Sequence, residues 1–586
     1  MDSKLKIAGV FLVVSSLYLA ITLSTLAFFP SFWQWPTYPA DDTYIYMAMS
    51  RNLMEFGVWG VTKYGFASTS SAHLWVIILA IAFGMFGPNE LVPLLLNVFF
   101  GLLSFGALIL LAKTLSLTLK QYFLLSIVFL FVVFPPHATV FGMETVLHAL
   151  LCLLFIWRSI ILLSDTDETK SSRGSLIFTL VVTALFSSVR YESPYMVAPV
   201  ILILMTRRQW KNALLVFLAT CAPIVAYGLY SMAEGGLFFP NTILLKGRTG
   251  FNDQSLYPAI GQTALTNWWL PSFYLCYLTL VAKESPRLAK GTFAIILFVL
   301  TVLAMPLAMA VFGLDEASNP AFQLIFLFCL AVNFFALFQL VRNSRNQSAS
   351  RNLWEIAVLA SGAHLFTAAI VTEGRYENYL LTAFAVVLFI SINNNWKLSF
   401  KNSGKLWSVS VCLVGAMMFI STLARDIHCF LYSPKIAKGV RYQHVEMAKF
   451  MEKYFGDATV VLHDIGAVCF FAKDVKLVDL YGLASQKAAR ARAQNRLDRE
   501  MIKSICREQG ADLALLQEPW YVDKIPFEWT KVAKWETPKW GHAEVSFFAI
   551  SPGTKEKLES SMREFELPPV DKKLMVEPDT SGGVTF

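Results

Sequence analysis

The stretch LVPLLLNVFFGLLSFGALILLA, residues 91–112, contains no charged side chain over its whole length. A helix of about 20 mostly apolar residues is long enough to cross the hydrocarbon core of a bilayer. Twelve other runs share this character, and several are short enough to imply tilted or kinked helices. They lie at about 7–29, 121–135, 144–164, 174–189, 194–206, 212–231, 262–282, 291–313, 320–341, 354–371, 379–394 and 406–424. The sequence therefore predicts a polytopic α-helical membrane protein with about thirteen transmembrane helices.

The composition supports this prediction. Of the 586 residues, 56% are hydrophobic and only 15% are charged, whereas soluble domains carry about 25% charged residues. A soluble enzyme, a disordered chain and a secreted disulfide scaffold are therefore excluded. The net charge of +8 follows the membrane topology described next, so no nucleic-acid partner is expected. The eight cysteines form no CxxC pair, which gives no sign of a zinc site or a thioredoxin-like motif.

Charge distribution orients the predicted helices. The first run ends at Phe28-Phe29-Pro30 without a small-residue cleavage site, so it is a retained span rather than a signal peptide. The apolar segment 74–86 is too short to span and is predicted as a juxtamembrane helix. With the N-terminus inside, nineteen Lys and Arg residues before position 425 lie inside and six lie outside, as the positive-inside rule requires. The six are Arg51, Lys63, Arg190, Lys246, Arg248 and Arg375.

Five outer turns on one face together offer carboxylates, Lys and Arg. The first outer loop contains the adjacent pair Asp41-Asp42, and such pairs persist at a membrane face where a cation, a metal ion or an acceptor proton uses them. The alternative is that the pair, like Glu144 in the second turn, only stabilises a helix N-terminus. The other turns are Arg190-Tyr191-Glu192, Pro240-Asn241-Thr242 followed by Lys246 and Arg248, and Gly374-Arg375-Tyr376-Glu377.

These residue types fit one kind of substrate. Carboxylates serve as bases or as ligands of hard divalent ions, and the arginine fork grips phosphate. Snorkelling at the membrane interface explains any single outer cation equally well, but it does not explain a set gathered on one face. The pattern predicts a site for an anionic, lipid-linked substrate at the outer leaflet.

At these residues the chain resembles the GT-C glycosyltransferases, polytopic enzymes that take a sugar from a polyprenyl-phosphate donor. The matching features occur in order: the acidic pair, the Leu74-Trp75 segment, Gly142-Met143-Glu144-Thr145, Pro240-Asn241-Thr242 with Lys246, and Gly374-Arg375-Tyr376. The resemblance is greatest to the branch of the mycobacterial terminal arabinofuranosyltransferase and weaker to the lipid A aminoarabinose transferases. One difference is that Gly65–Trp75 lacks the phosphate-gripping Lys of the aminoarabinose enzymes, so that contact would pass to Lys246, Arg248 or Arg375.

The resemblance implies roles for individual residues. Asp41 would be the main catalytic carboxylate, as a base or, in a retaining reaction, a nucleophile, with Asp42 and Glu144 in support. Lys246, Arg248, Arg375 and Arg190 would hold the donor phosphate. Tyr44, His73, Asn241 and Tyr376 would contact substrate. No cofactor is implied with certainty; a divalent cation, if one binds, would be held by Asp41, Asp42 and Glu144.

The chain changes character after the last apolar run. A helix at 445–454, strands at 458–463, 476–480, 512–516, 529–535 and 544–550, and a basic helical stretch at 485–507 predict a small α/β domain with a partly parallel sheet. We therefore divide the chain into a membrane domain, 1–424, and an extracytoplasmic α/β domain, 425–586, with a loosely held polar tail from about 553. Asp464-Ile465-Gly466 is predicted as a turn, with a ligand site as the alternative. No GxGxxG motif indicates a nucleotide site.

The predicted function is transfer of a sugar, with arabinofuranose one candidate, from a polyprenyl-phosphate donor to a glycan, lipid or protein acceptor. The active site would face outward from the inner membrane. A transporter or flippase of a lipid-linked sugar is the alternative, but it would show internal repeats and broken helices near the midplane, and the sequence has no self-similar halves. A glycan ligase or polymerase of the other GT-C type would have its long outer loops late in the chain, whereas the long loop here is early.

Overall fold

The computed structural model describes residues 2–29, 36–133, 135–164, 173–246, 270, 273–275, 277–278, 320–343, 349–368, 375–396, 404–535, 544–565 and 574–576. Helices dominate the part before residue 440. They are α1 (Asp2–Ala27), α2 (Asp41–Phe56), α3 (His73–Phe86), α4 (Leu91–Thr114), α5 (Leu119–Val132), α6 (Pro135–Val140), α7 (Thr145–Ser164), α8 (Arg173–Val189), α9 (Pro194–Thr206), α10 (Trp210–Ala233), α11 (Asn241–Lys246), α12 (Pro320–Asn343), α13 (Ala349–Thr367), α14 (Asn378–Trp396) and α15 (Gly404–Val440).

Helices occupy eleven of the thirteen predicted spans, namely α1, α4, α5, α7 to α10 and α12 to α15. The predicted spans 262–282 and 291–313 lie almost wholly outside the described residues, so the total of thirteen stays a prediction. Within the described part of the chain, four helices are long and apolar enough to cross a bilayer: Leu5–Ala27, Leu91–Thr114, Thr145–Ser164 and Trp210–Ala233. The protein is a mostly helical, multi-pass membrane protein.

The helix α3 follows the first outer loop, where the juxtamembrane helix was predicted. Trp75, Leu79 and Phe83 are buried on one face, whereas Ile77, Ile81 and Met85 are exposed on the other. Spacings of four residues place each trio on one side of a helix. An apolar outer face of this kind is suited to contact with lipid tails.

The helix α2 carries the acidic pair in its first turn, after Ala40 in extended backbone, and ends at Gly57 in the left-handed conformation (φ 68°). Glycine adopts that conformation without the steric cost that a Cβ brings. Most of α2 is buried, from Thr43 to Asn52. The first outer loop therefore begins with an internal helix that holds its residues in fixed directions.

The C-terminal part contains a six-stranded mixed sheet. The strands are β1 (Thr459–Leu462), β2 (Lys476–Asp479), β3 (Leu513–Leu516), β4 (Thr530–Trp535), β5 (Val545–Ala549) and β6 (Leu574–Val576), in the order β2-β1-β3-β5-β4-β6. β1 pairs in parallel with β2 and β3, and the remaining pairs are antiparallel. Its helices are α16 (Glu446–Phe455), α17 (Gly466–Phe471), α18 (Gln486–Ala493), α19 (Arg499–Gln509) and α20 (Thr554–Glu564).

The sheet contains strands at all five predicted positions, but three details differ. The predicted turn at 464–466 leads into the short helix α17. The basic stretch 485–507 forms two helices, because Asn495 adopts a left-handed conformation (φ 53°) and Asp498 caps the start of α19. The predicted loose tail contains α20, which buries Leu558 and Met562, and β6, which pairs with β4. Most side chains of α20 are polar, so the sequence did not indicate that this amphipathic helix packs against the domain.

The transition to the sheet domain is helical. α15 continues through residue 425 to Val440, and a π-helical turn, Arg441–Val445, joins it to α16. The division between 1–424 and 425–586 thus falls inside one helix and stays a prediction about folding units. The two parts are in extensive contact, since residues of α16, β1 and α17 belong to the same buried apolar cluster as the membrane helices.

Candidate active site

The two carboxylates of the acidic pair point to different places. Oδ2 of Asp41 accepts a hydrogen bond from the Gly466 amide at 2.7 Å, and Oδ1 accepts one from the Ala467 amide at 2.9 Å. Both amides lie in the first turn of α17, where unpaired N–H groups attract a carboxylate. Nδ1 of His444 lies 3.4 Å from Oδ1 of Asp41. Asp41 is therefore held by the sheet domain.

His444 completes this contact as a cation. Burial disfavours its charged form, but Asp41, with a further contribution from Asp464, outweighs burial and raises the pKa of His444 to about 9. At neutral pH the imidazolium and Asp41 thus form an ion pair. This pair, together with α17, joins the first outer loop to the residues that precede the sheet.

Asp42 instead lines a cavity of about 110 Å³ at the ends of the helices. The wall combines carboxylates, guanidinium groups and tyrosines, which suits a polar ligand with one apolar side. The charged and aromatic members are Asp42, Glu192, Arg190, Arg375, Tyr46, Tyr191, Tyr195 and Tyr376. Leu483 of the sheet domain also contributes to the wall, so the cavity lies between the two parts of the chain.

Arg375 connects the acidic pair to the rest of the cavity. Its Nη1 donates to Oδ2 of Asp42, its Nη2 donates to the Tyr46 hydroxyl at 2.7 Å, and its Nε lies 3.5 Å from Oε1 of Glu144. The ring of Tyr376 lies 5.3 Å from this guanidinium. These partners fix the orientation of the Arg375 guanidinium. A ligand oxygen could therefore replace one of them without the guanidinium having to move.

Arg190 forms a second, more buried cluster. Its Nη1 donates to Oε1 of Glu144. Its Nε and Nη2 donate to Oε2 and Oε1 of Glu192, at 3.0 and 2.8 Å. The Tyr376 ring lies 4.6 Å from this guanidinium, so one ring contacts both arginines. Three carboxylates on three different turns therefore surround two guanidiniums.

Glu144 and Glu192, the two partners of Arg190, are ionised at neutral pH. Burial raises the pKa of Glu144, but the two arginines, Arg375 first, reverse the effect and leave it below its usual value. Burial acts the same way on Glu192, and Arg190 lowers its pKa to about 2. Oε2 of Glu144 accepts no hydrogen bond from any residue that the structure describes.

The structure brings together part of the predicted site. Asp42, Arg190, Arg375 and Tyr376 meet at the cavity, with Glu144 directly behind the arginines. Helix α11 contributes Thr242 and Ile243 to the wall and carries Lys246 at its end. The predicted phosphate ligand Arg248 lies outside the described residues.

Three predicted substrate contacts lie away from the cavity wall. Tyr44 is fully buried and packs against Phe471, because it follows Asp42 by two positions and so projects from nearly the opposite side of α2. His73 is stacked on Tyr227, with ring centroids 3.5 Å apart. Asn241 donates to the Leu483 carbonyl at 3.1 Å and so connects the two parts of the chain. Their role as substrate contacts stays a prediction.

The conditional metal site does not form in the described structure. Among the described residues, no three His, Cys, Asp or Glu side chains are grouped to hold a metal ion. Asp41 and Asp42 diverge because consecutive helical residues differ in direction by about 100°, and Glu144 is occupied by arginine. In the described structure these three carboxylates therefore do not meet, as a shared metal site would require.

Tyr46 and Tyr195 line the cavity, although neither was predicted as a site residue. Tyr46 stands four residues after Asp42, the spacing that places two side chains on one helix face, and this signal was present in the sequence. Tyr195 directly follows the proline that begins α9, and its hydroxyl accepts a hydrogen bond from Thr367 at 2.6 Å. Its position depends on contact between distant helices, which no local pattern reveals.

Comparisons with known proteins give one family and several solved structures. Residues 434–548 match a family described as a domain of unknown function (DUF8728). No curated protein sequence matches the chain. The crystal structure of the Archaeoglobus fulgidus oligosaccharyltransferase in complex with zinc and sulfate is similar at a TM-score of 0.49 and 12% identity, covering 89% of this chain and 72% of that one.

Two further solved structures are of ArnT from Cupriavidus metallidurans. The complex with undecaprenyl phosphate is similar at a TM-score of 0.44 and 13% identity, over 93% of this chain and 98% of that one. The apo state is similar at a TM-score of 0.45 and 14% identity, over 94% and 99%.

Proposed function

We propose that this protein is a GT-C-type membrane glycosyltransferase that moves a sugar from a polyprenyl-phosphate donor to an acceptor on the outer face of the membrane. One observation carries the proposal: a cavity between the membrane helices and the sheet domain is lined by the Asp42–Arg375 pair and by four tyrosines. The motif order and the charge bias of the loops support it. The arabinofuranosyltransferase branch, and with it a pentose donor, is the specific assignment that we propose from the motifs.

Arg375 is the proposed ligand of the donor phosphate. In the structure its fork donates to both Asp42 and Tyr46. A phosphate oxygen matches a guanidinium fork at least as well as a carboxylate does, so donor binding would take Arg375 from Asp42. Donor binding would thereby release the Asp42 carboxylate from Arg375.

Additional positive charge is needed for a phosphate. The described cluster has three carboxylates for two guanidiniums, and Arg190 is already held by Glu144 and Glu192. We therefore propose that Lys246 and Arg248, at and after the end of α11, supply the remaining contacts, while Arg190 chiefly fixes the two glutamates. The wall residues Thr242 and Ile243 place the start of α11 at the cavity.

Asp42 is the proposed acceptor of the proton. The acceptor hydroxyl oxygen bonds to C1 of the donor sugar while the bond from C1 to the phosphate oxygen breaks. The hydroxyl proton passes to Asp42, and polyprenyl phosphate leaves with the electron pair of the broken bond. A positioned base of this kind contributes about 10²–10⁴-fold to the rate.

Asp41 takes a different part in this proposal from the one that the motif resemblance implies. Its two oxygens accept hydrogen bonds from α17, and His444 balances its charge. Asp41 does not line the cavity that contains Asp42 and Arg375. We propose that Asp41 positions the start of α2, and hence Asp42, against the sheet domain.

The proposal places the site and the sheet domain outside the inner membrane. Reconstituted protein should transfer labelled sugar from a polyprenyl-phosphate pentose or hexose to isolated envelope glycan, and Asp42→Asn should reduce transfer by about 10²–10⁴-fold. Glu234→Gln, which changes an exposed acid after α10, is the matched control and should keep full activity. Donor movement across vesicles without formation of a product would support the transporter instead and contradict the proposal.

A further inference from the structure

The loops that follow β1 and β3 form a second concentration of polar and aromatic residues. In the strand order β2-β1-β3, the chain passes from β1 to β2 on one side of β1 and then crosses to the other side for β3. Ligands of open α/β sheets bind outside the carboxyl ends of the parallel strands, at the point where the order reverses. Here that point lies between β1 and β3, and the loops at 463–465 and 517–521 flank it.

These two loops are in contact with each other. The His463 ring lies 5.6 Å from the Trp520 ring, and the Gln517 side chain donates to Oδ2 of Asp464 at 3.5 Å. Nε2 of His463 lies 3.1 Å from the same Asp464 oxygen, while its buried Nδ1 has no hydrogen-bond partner among the described residues. Trp520 is 44% exposed, which is high for so large an apolar ring.

A cavity of about 260 Å³ continues from Trp520 toward the connection between α18 and α19. Arg492 in the last turn of α18 and Asn495 in that connection line it, and Tyr521 lines it from the loop after β3. The Arg492 guanidinium lies 4.4 Å from the Tyr481 ring, which keeps the fork in a defined plane.

We propose that this switch-point site, formed by Asp464, Gln517, Trp520 and Arg492 with the cavity beside them, binds a saccharide. A sugar ring has one face of C–H groups, which stacks on an exposed indole, and a rim of hydroxyls that both donate and accept hydrogen bonds. Asp464 accepts from hydroxyls, Arg492 donates, and the Gln517 amide does both. Aromatic anchors in a concave, polar-rimmed site dominate binding of this kind.

The site has a direct relation to the membrane cavity. Leu483, in the loop after β2, lines that cavity and accepts a hydrogen bond from Asn241, so the carboxyl edge of the sheet faces the outer ends of the membrane helices. The charge of Asp464 acts on His444, the partner of Asp41. Resting on the proposed function, we identify the saccharide as the acceptor glycan, whose chain extends from the sheet to Asp42.

The test measures saccharide binding separately from transfer. Full-length protein in nanodiscs is examined by saturation-transfer NMR with mono-, di- and tetrasaccharides of arabinose, galactose, glucose and mannose. At least one should bind the wild type, and Trp520→Ala should weaken its binding at least about tenfold, with Trp520→Phe intermediate. Phe527→Ala, which removes an 83% exposed aromatic ring of the same domain, should bind as the wild type does.

Three results would overturn the inference. They are no saturation transfer from the wild type to any of these saccharides, equal binding by Trp520→Ala and the wild type, and occupation by inorganic phosphate that depends on Arg492 but not on Trp520. A transfer assay separates the two proposals. Transfer with an unchanged acceptor KM in Trp520→Ala refutes the saccharide site alone, whereas Trp520-dependent binding without any transfer refutes only the glycosyltransferase.

Discussion

Gly466 shows how closely one residue can constrain the site. A Cβ at this position would lie 2.2 Å from the backbone oxygen of Asp41. At that distance the start of α2 and the start of α17 must move apart. We predict that Gly466→Ala lowers the free energy of unfolding by about 1–3 kcal/mol and reduces transfer by displacing α2. Gly65→Ala, which meets nothing within 4 Å, is the control. Equal melting temperatures of the two variants in detergent would refute the prediction.

His444 makes the same contact sensitive to pH. Its pKa is raised from 6.5 to about 9 by Asp41 and Asp464 despite burial. A group with a raised folded-state pKa stabilises the fold fully below its unfolded value and loses this effect as pH rises through the folded value. Thermal stability should therefore fall between pH 7 and pH 9.5, on the order of 1–3 kcal/mol. Asp41→Asn should flatten this dependence, and an unchanged slope in that variant would contradict the assignment.

At the scale of elements, α2 holds both ends of α17. Asp41 binds the amides at its start, and Arg51, three turns later and buried, donates to the carbonyls of Cys469 and Phe470 at its end. Opposite charges at the two helix ends match the direction of the helix dipole. The two elements therefore pack as a unit that joins the membrane part to the sheet.

Removal of Arg51 should weaken this unit. Arg51→Leu leaves two buried carbonyls without their charged donor, and we expect a loss of about 1.5–3 kcal/mol. Lys63→Met removes an exposed ion pair between the same two parts of the chain, Lys63–Asp474, and should leave the melting temperature unchanged because exposed pairs are weak. Limited proteolysis between α15 and β1 should be accelerated only in Arg51→Leu. Similar protection in both variants would argue against the helix contact.

Elements were more predictable from the sequence than their contacts. Apolar runs predicted helices such as α4 and α7 closely, and the predicted strands 529–535 and 544–550 match β4 and β5 to within one residue at each end. The capture of Asp41 by Gly466 was not predictable, since it joins residues 425 positions apart. The acidic pair was found by its motif, but its two directions depend on where α2 begins, which no single motif specifies.

At the scale of the whole molecule, orientation decides whether the site can meet an outer acceptor. Cys429 and Cys506 are buried and are poor reporters, so introduced cysteines are needed. Phe527→Cys, at an 83% exposed position of the sheet domain, should react with a membrane-impermeant maleimide in intact cells. Lys211→Cys, exposed at the start of α10 on the predicted inner side, should react only after permeabilisation. The reverse pattern would overturn the proposed orientation.

The cavity wall contains residues from both parts of the chain. Its wall takes Arg375 from the membrane part and Leu483 from the sheet, so neither part forms it alone. A lipid-linked donor would enter from the bilayer and an acceptor from the sheet side. The reacting groups would then meet at Asp42, the carboxylate that α2 directs toward both.

Donor turnover by purified protein tests the central assignment most directly. With a polyprenyl-phosphate sugar and envelope acceptor, release of polyprenyl phosphate and formation of labelled product are followed together in the wild type, Asp42→Asn and Asp41→Asn. We predict coupled turnover in the wild type, a loss of about 10²–10⁴-fold in Asp42→Asn with donor still bound, and a smaller loss in Asp41→Asn. A wild type that turns over no such donor, or a folded Asp42→Asn that keeps most of its activity, would contradict the assignment.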